Sequence, residues 1–266
     1  MINTRPIKEA IRKFGLKHTL FRGIEYLLLQ TTPTARAYWW AAPKYYYLKR
    51  GRTLEKHGIE DPFEPRYVSP ERISEFSDRG QIREGVLNDI GTIRNGDWDV
   101  RDRDPDDLGQ YAPTLEETVL YQSLEAHFND GVAWEETEIY DRIFNAVVNE
   151  GRRYHGCETA SDVDQHFREI DDLYESIKEK GYMTQQELRA EKPSLDEPFG
   201  YINERVMEIS VDIARDGKLL LVDGRHRLSI AKILELDEVP VAIIVRHEEW
   251  MEAVTSGDVS NDKYVY

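Results

Sequence analysis

The stretch from Leu219 to Lys232 limits what this chain can fold into more than any other. Leu219, Leu220, Leu221 and Val222 are a run of the length and character of a buried strand, and Asp223-Gly224 breaks it. An amphipathic helix starts at once, with Arg225, His226 and Arg227 at its beginning. The first N–H groups of a helix have no intrahelical partner and carry the positive end of the macrodipole. Two guanidinium groups and an imidazole added there make a place suited to phosphate. The plainer alternative is a strand–turn–helix corner whose cations are solvated or paired with Asp223. Glycine and cationic donors coincide at the helix start, which favours the anion site. Its expected residues are Asp223, Gly224, Arg225, His226 and Arg227.

A chain of 266 residues, 40% hydrophobic and 11% aromatic, has enough apolar material for a globular core. Cys157 is the only cysteine, which excludes an intrachain disulfide and a cysteine-rich zinc site. No secretory leader is evident, and apolar runs such as Ile24 to Leu29 are too short to span a bilayer. The expected compartment is the cytoplasm. The net charge of −16 is unevenly spread: residues 1–57 hold 12 Lys and Arg against three acids, which leaves −25 on the rest. A basic arm on an acidic body points to an anionic partner for the arm. The body's charge repels nucleic acid at long range. Strong acidity with 12 lysines against 23 arginines resembles the composition of proteins from salt-loving archaea.

Residues 3–30 have apolar residues near helical spacing, with Lys and Arg between them. Tyr38-Trp39-Trp40 and Tyr45-Tyr46-Tyr47 follow, beside Lys49 and Arg50. Aromatics next to cations suit an anionic membrane surface, so residues 1–50 could make the protein membrane-peripheral. The alternative is a helical arm whose aromatics pack on the body. Residues 58–85 read as a polar loop with a short helix near 70–76, and 86–93 as a strand. An acidic turn with Asp97, Trp98 and Asp99 comes next. Helices are expected over 115–128, 134–149 and 162–180, the last closed by Gly181. Strands are expected over 207–213, 218–222 and 239–245. A hairpin turn at Asp216-Gly217 joins the first two, and a helix over 228–235 precedes the third. In 207–213, Met207, Ile209, Val211 and Ile213 alternate with polar residues, as in a strand with one face in water.

Three segments then fall in order. Leu173, Ser176, Ile177 and Gly181 share one helix; Asp223-Gly224-Arg225-His226-Arg227 follows a strand; Val239-Pro240-Val241 leads another. This order, over residues 166–247, resembles the ParB/sulfiredoxin superfamily. The resemblance implies an α/β (α+β) fold with a small mixed sheet, here with a helical insertion and an N-terminal helical arm. Sulfiredoxins carry a catalytic cysteine where Arg225 stands, so that reaction is not expected. Chromosome-partitioning ParB proteins follow this core with a DNA-binding domain, and only about twenty residues follow the strand 239–245 here. The Asp-Gly-x-His-Arg turn is similar to that of archaeal free-serine kinases, whose loop holds nucleotide phosphates. In those enzymes an acidic residue from an earlier loop acts as base. Asp97 and Asp99 are its positional counterparts, against the alternative of an ordinary acidic turn.

These readings divide the chain into a basic aromatic arm (1–57), a linker with helical elaboration and the acidic turn (58–165), the ParB/sulfiredoxin-like core (166–250) and a C-terminal tail (251–266). The leading expectation is a nucleotide-binding, kinase-like phosphotransferase acting on a small hydroxylated substrate. Its cofactors would be ATP or ADP, or CTP, with Mg²⁺. Arg225 and Arg227 neutralise phosphate, Asp97, Asp99 and His226 are the catalytic candidates, and Asp223 is a metal ligand. His247 is expected to line the same cleft. The seven histidines show no metal-ligand spacing. Two alternatives stand beside this: a ParB-like DNA-binding or nuclease protein, and a non-catalytic nucleotide-binding assembly module.

Overall fold

The computed structural model describes residues 64–78, 90–100, 105–191 and 207–257, with a few single positions before them. The expected arm over 1–57 and its membrane contact lie almost wholly outside the described residues. Near the arm's end, Leu54 is buried in the main core, and His57 Nδ1 lies 2.9 Å from Thr255 Oγ1. No helix among the described residues is long and apolar enough to cross a membrane.

The fold is mixed α/β around a six-stranded sheet. Its strands are β1 (Arg66–Val68), β2 (Ile73–Phe76), β3 (Thr92–Arg94), β4 (Ile209–Ile213), β5 (Leu219–Asp223) and β6 (Val239–His247). Their order is β1-β6-β4-β5-β2, with β3 also on β6. The nine-residue β6 has β1 antiparallel along its start and β3 parallel along its end. β4 runs parallel to β6 and antiparallel to β5, and β2 runs parallel to β5. The helices are α1 (Val119–Asp130), α2 (Glu138–Phe144), α3 (Ala160–Lys180), α4 (Gln185–Glu191), α5 (Arg225–Ile233) and α6 (Glu248–Ser256).

Several expectations change. Residues 73–76 are a strand rather than a continuation of the short helix, because they pair with β5. The strand near 86–93 is found at 92–94, and 86–89 lie outside the described residues. Residues 248–256 form α6, whose Met251 and Val254 are buried, so the expected tail is partly core. The sheet also takes β1, β2 and β3 from the segment read as linker, so the described residues 66–94 belong to the same sheet as 209–247.

β4 is buried at all five positions, Ser210 and Asp212 included. The alternation suggested one wet face, but both faces are covered, and Asp212 is held by hydrogen bonds instead of water. Ser77 Oγ donates to its Oδ2 at 2.6 Å and the Val245 N–H to its Oδ1 at 3.0 Å. Such partners offset the cost of burying a carboxylate.

A second core lies among the helices. α3 starts at a capping box of Thr159 and Asp162 and buries Val163, Phe167, Ile170, Tyr174 and Ile177 along one face. Each such side chain contributes about 1.5–3 kcal/mol. They pack with Leu120, Leu124, Trp134, Ile139 and Ile143. α5 joins the two cores: Leu228 and Ala231 face the sheet side, and Ile230 sits in the helical cluster. The N-terminus of α5 is thereby brought against α3 and the loop before it.

Candidate functional site

Gly224 makes the corner. It caps α5 at φ +94°, a region glycine enters freely and other residues rarely do. A Cβ there would stand 3.0 Å from Ile209 Cα, so the β4 backbone also leaves no room. The Gly224 N–H donates to Asp223 Oδ1 at 2.8 Å. No side chain caps the helix, so its first-turn N–H groups remain for a ligand.

A cavity of about 300 Å³ opens over this corner. Its wall takes Asp223 to Arg227 from the loop and helix start, His166, Glu169, Ile170 and Leu173 from α3, and His155 from the loop before α3. The three imidazoles form a triangle, with ring centroids 5.5 Å (His155–His166), 6.1 Å (His155–His226) and 5.8 Å (His166–His226) apart. His155 holds a left-handed backbone, φ +46°. Three polar atoms on this wall are sealed from solvent without a hydrogen-bond partner: Arg225 Nε, His166 Nε2 and His226 Nε2. Arg225 is steadied by the Tyr111 ring, 4.5 Å below its guanidinium carbon.

The field here opposes further positive charge. His226 is held well below the usual imidazole range, first by burial and then by His166, Arg225, His155 and Arg227. As a residue it is only half-buried, but its Nε2 is closed to water, and the burial effect acts on that edge. His166 is pushed down to about 4 by burial and by His155, with Glu169 pulling the other way. Both rings are therefore neutral at pH 7.

Behind the loop lies Glu208, its side chain 1% exposed. The Gln185 N–H donates to its Oε1 at 2.7 Å, and the Tyr182 hydroxyl lies 3.5 Å from its Oε2. Arg227 Nη1 donates to Tyr182 Oη at 3.3 Å and stands 3.9 Å from Glu208 Oε2. Burial raises Glu208 to about 7 against these contacts, and burial likewise raises Tyr182. This group sets the position of Arg227.

Asp97 and Asp99 stand at the other end of the sheet. β5 separates its Leu219 end from Asp223 by about 13 Å of strand. Asp99 is bound to Arg215 in the β4–β5 hairpin, and Asp97 to the same guanidinium. His247 is there too, its Nε2 2.9 Å from the Gly96 carbonyl oxygen. Neither acid nor His247 joins the cavity at the α5 N-terminus. The reason is topological: β3, β4 and β6 run parallel, so all their C-terminal ends lie opposite the end of β5.

Asp223, Gly224, Arg225, His226 and Arg227 line one cavity together. His155, His166, Glu208 and Tyr182 were not foreseen. His155 and His166 are eleven positions apart and lie 71 and 60 positions before His226, so no local spacing marks them. Among the described residues no group of three His, Cys, Asp or Glu is arranged to hold a metal. Asp223 could still supply one carboxylate to a Mg²⁺ ion whose other ligands are phosphate oxygens and water, the usual habit of that ion. Cys157 is buried in the helical core, away from the cavity wall. Compared with family models, curated proteins and solved structures, the chain matches none.

Proposed function

We propose that this chain is a nucleotide-binding phosphotransferase of kinase type, acting on a small hydroxylated substrate, on a sheet of ParB/sulfiredoxin kind. One observation carries the reading. A helix N-terminus without a side-chain cap, two arginines and three partnerless polar atoms surround a single cavity. Buried polar atoms without partners are rare in proteins, and here they sit where an anion would satisfy them. The cavity also has an apolar side at Ile170 and Leu173, next to imidazole faces, suited to the uncharged part of a phosphate ester.

In this reading the N–H groups of the first turn of α5, Arg225 and Arg227 hold the phosphates and neutralise their charge. Asp223 would be the residue that holds a Mg²⁺ ion here, and the ion would add to the neutralisation of phosphate charge. The acceptor oxygen forms a bond to the terminal phosphorus as the bridging P–O bond breaks, and ATP leaves as ADP, or ADP as AMP. The hydroxyl proton passes to an oxygen of the transferred phosphoryl group, and His226, on the cavity wall, donates a hydrogen bond to that phosphate. Asp97 and Asp99 are too distant to take the proton, because a base must reach its proton directly or through one water.

A DNA-binding or nuclease role needs a basic groove, and the net charge of −16 opposes one. The test is calorimetric titration with ADP, ATP and CTP, each with Mg²⁺, in molar KCl. Binding by the wild type that is lost in Arg227→Ala, with turnover of a hydroxylated compound, supports the reading. Binding without turnover in a broad screen of such compounds leaves an assembly module. Failure of every nucleotide to bind removes the reading.

A further inference from the structure

We propose that this cavity selects a terminal phosphate over a phosphodiester, and that His166 and His226 take up a proton when such a phosphate binds. The inference rests on the phosphate-site reading above and adds the class of phosphate and its proton linkage.

Five ionisable groups besides these two rings face the cavity. Arg225 and Arg227 come from α5, His155 from the loop before α3, Glu169 from α3 and Asp223 from the end of β5. Tyr154 also packs edge-on against His166 at 5.4 Å. With no ligand, burial and His155 outweigh Glu169 at His166, and burial, the neighbouring imidazoles and the two arginines hold His226 down, so both rings stay neutral. Their Nε2 atoms are left without partners in a place closed to water. A neutral imidazole nitrogen offers either an N–H or a lone pair. A phosphate oxygen accepts from the first, and a P–O–H group donates to the second.

A terminal phosphate carries nearly two negative charges at pH 7, with its second ionisation near 6. Set against these rings it reverses the sign of the local field. Imidazolium then becomes favourable, and the new N⁺–H donates a charge-assisted hydrogen bond. A phosphodiester carries one charge and has no ionisation near neutrality, so it draws far less proton onto the rings. The Nε2 atoms of His166 and His226 have no partner in the protein, and the two arginines and the α5 N-terminus beside them favour an anion as the ligand that meets them.

The test is calorimetry of the full chain with ADP, which has a terminal phosphate, and with ADP-ribose, in which both phosphates are esterified. Each is titrated in two buffers of different ionisation enthalpy, at pH 6.5, 7 and 8. The expected result is uptake of roughly half to one proton on binding ADP near pH 7. Affinity for ADP should then rise about three- to tenfold from pH 8 to pH 7. ADP-ribose should bind at least tenfold more weakly, with heat independent of the buffer. The double variant His166→Asn/His226→Asn, checked for an unchanged circular dichroism spectrum, should keep weaker ADP binding through the arginines and lose the proton uptake. ADP binding with no buffer dependence and no pH dependence overturns this inference and leaves the phosphate site standing. Equal binding of ADP-ribose overturns the selectivity. Absence of any binding by ADP removes the underlying reading together with this one.

Discussion

Asp99 holds Arg215 from three sides. The guanidinium donates from Nη2 at 2.8 Å and from Nε at 3.1 Å, and the Arg215 backbone N–H donates at 2.8 Å. Burial alone would raise the Asp99 carboxyl, but these hydrogen bonds override it and hold the group below the usual range. The pair ties the 95–99 turn to the β4–β5 hairpin. Its stabilising contribution is present above the carboxyl's unfolded value and is lost as pH falls through the lowered one.

Asp99→Asn should therefore lower the melting temperature at pH 7 and leave nucleotide affinity within about twofold, since distant sites act independently. Asp97→Asn should change little, because that side chain is 77% exposed. Melting curves and titration of both variants check this. Lost binding in Asp99→Asn with an intact fold would return the acid to the ligand site.

Gly224→Ala should destabilise the protein by about 1–3 kcal/mol, through a strained positive φ and the approach to Ile209. Relief of that strain would turn the first N–H groups of α5, so anion affinity should fall as well. Urea unfolding and titration with ADP read the two effects separately.

Arg225→Ala should weaken nucleotide binding about 10- to 100-fold, the value of one hydrogen bond to a charged group. Arg225 lies over Tyr111, and removing that ring should cost less. Tyr111→Leu leaves the charge in place and loosens only its position. The order of the two affinities, Tyr111→Leu above Arg225→Ala, is the check.

Glu208 gives the stability a pH dependence of known sign. Its folded value is about 7 against an unfolded value near 4.5, so the folded state holds more protons between them. Stability should fall as pH rises from 4.5 to 7. His166 acts in the opposite sense at lower pH: its folded value is about 4 against 6.5 unfolded, so stability should fall as pH drops below 6.5. Glu208→Gln should flatten the loss toward pH 8 and raise stability there by about 2–3 kcal/mol. Chemical unfolding of both chains at pH 5, 6, 7 and 8 measures it.

Much of the secondary structure was readable because its signals are local. The strand 219–223, its hairpin at Asp216-Gly217 and the helix over 160–180 follow from apolar runs, turn residues and helical spacing. The loop Asp223 to Arg227 was readable for the same reason. The strand 73–76 was not, since its partner β5 is more than a hundred residues away. Nor was the burial of Ser210 and Asp212, which depends on what covers the second face of the sheet.

The sequence alone determined that a glycine corner would present Arg225, His226 and Arg227 at a helix start, because that geometry is set within a few residues. Only the tertiary structure decided what those groups meet. Parallel pairing of β3, β4 and β6 sends Asp97, Asp99 and His247 to the far end of the sheet. Packing of Ile230 into the helical core draws His155 and His166 to the near end. Both outcomes come from long-range strand pairing and side-chain packing, which leave no trace in the spacing of neighbouring residues.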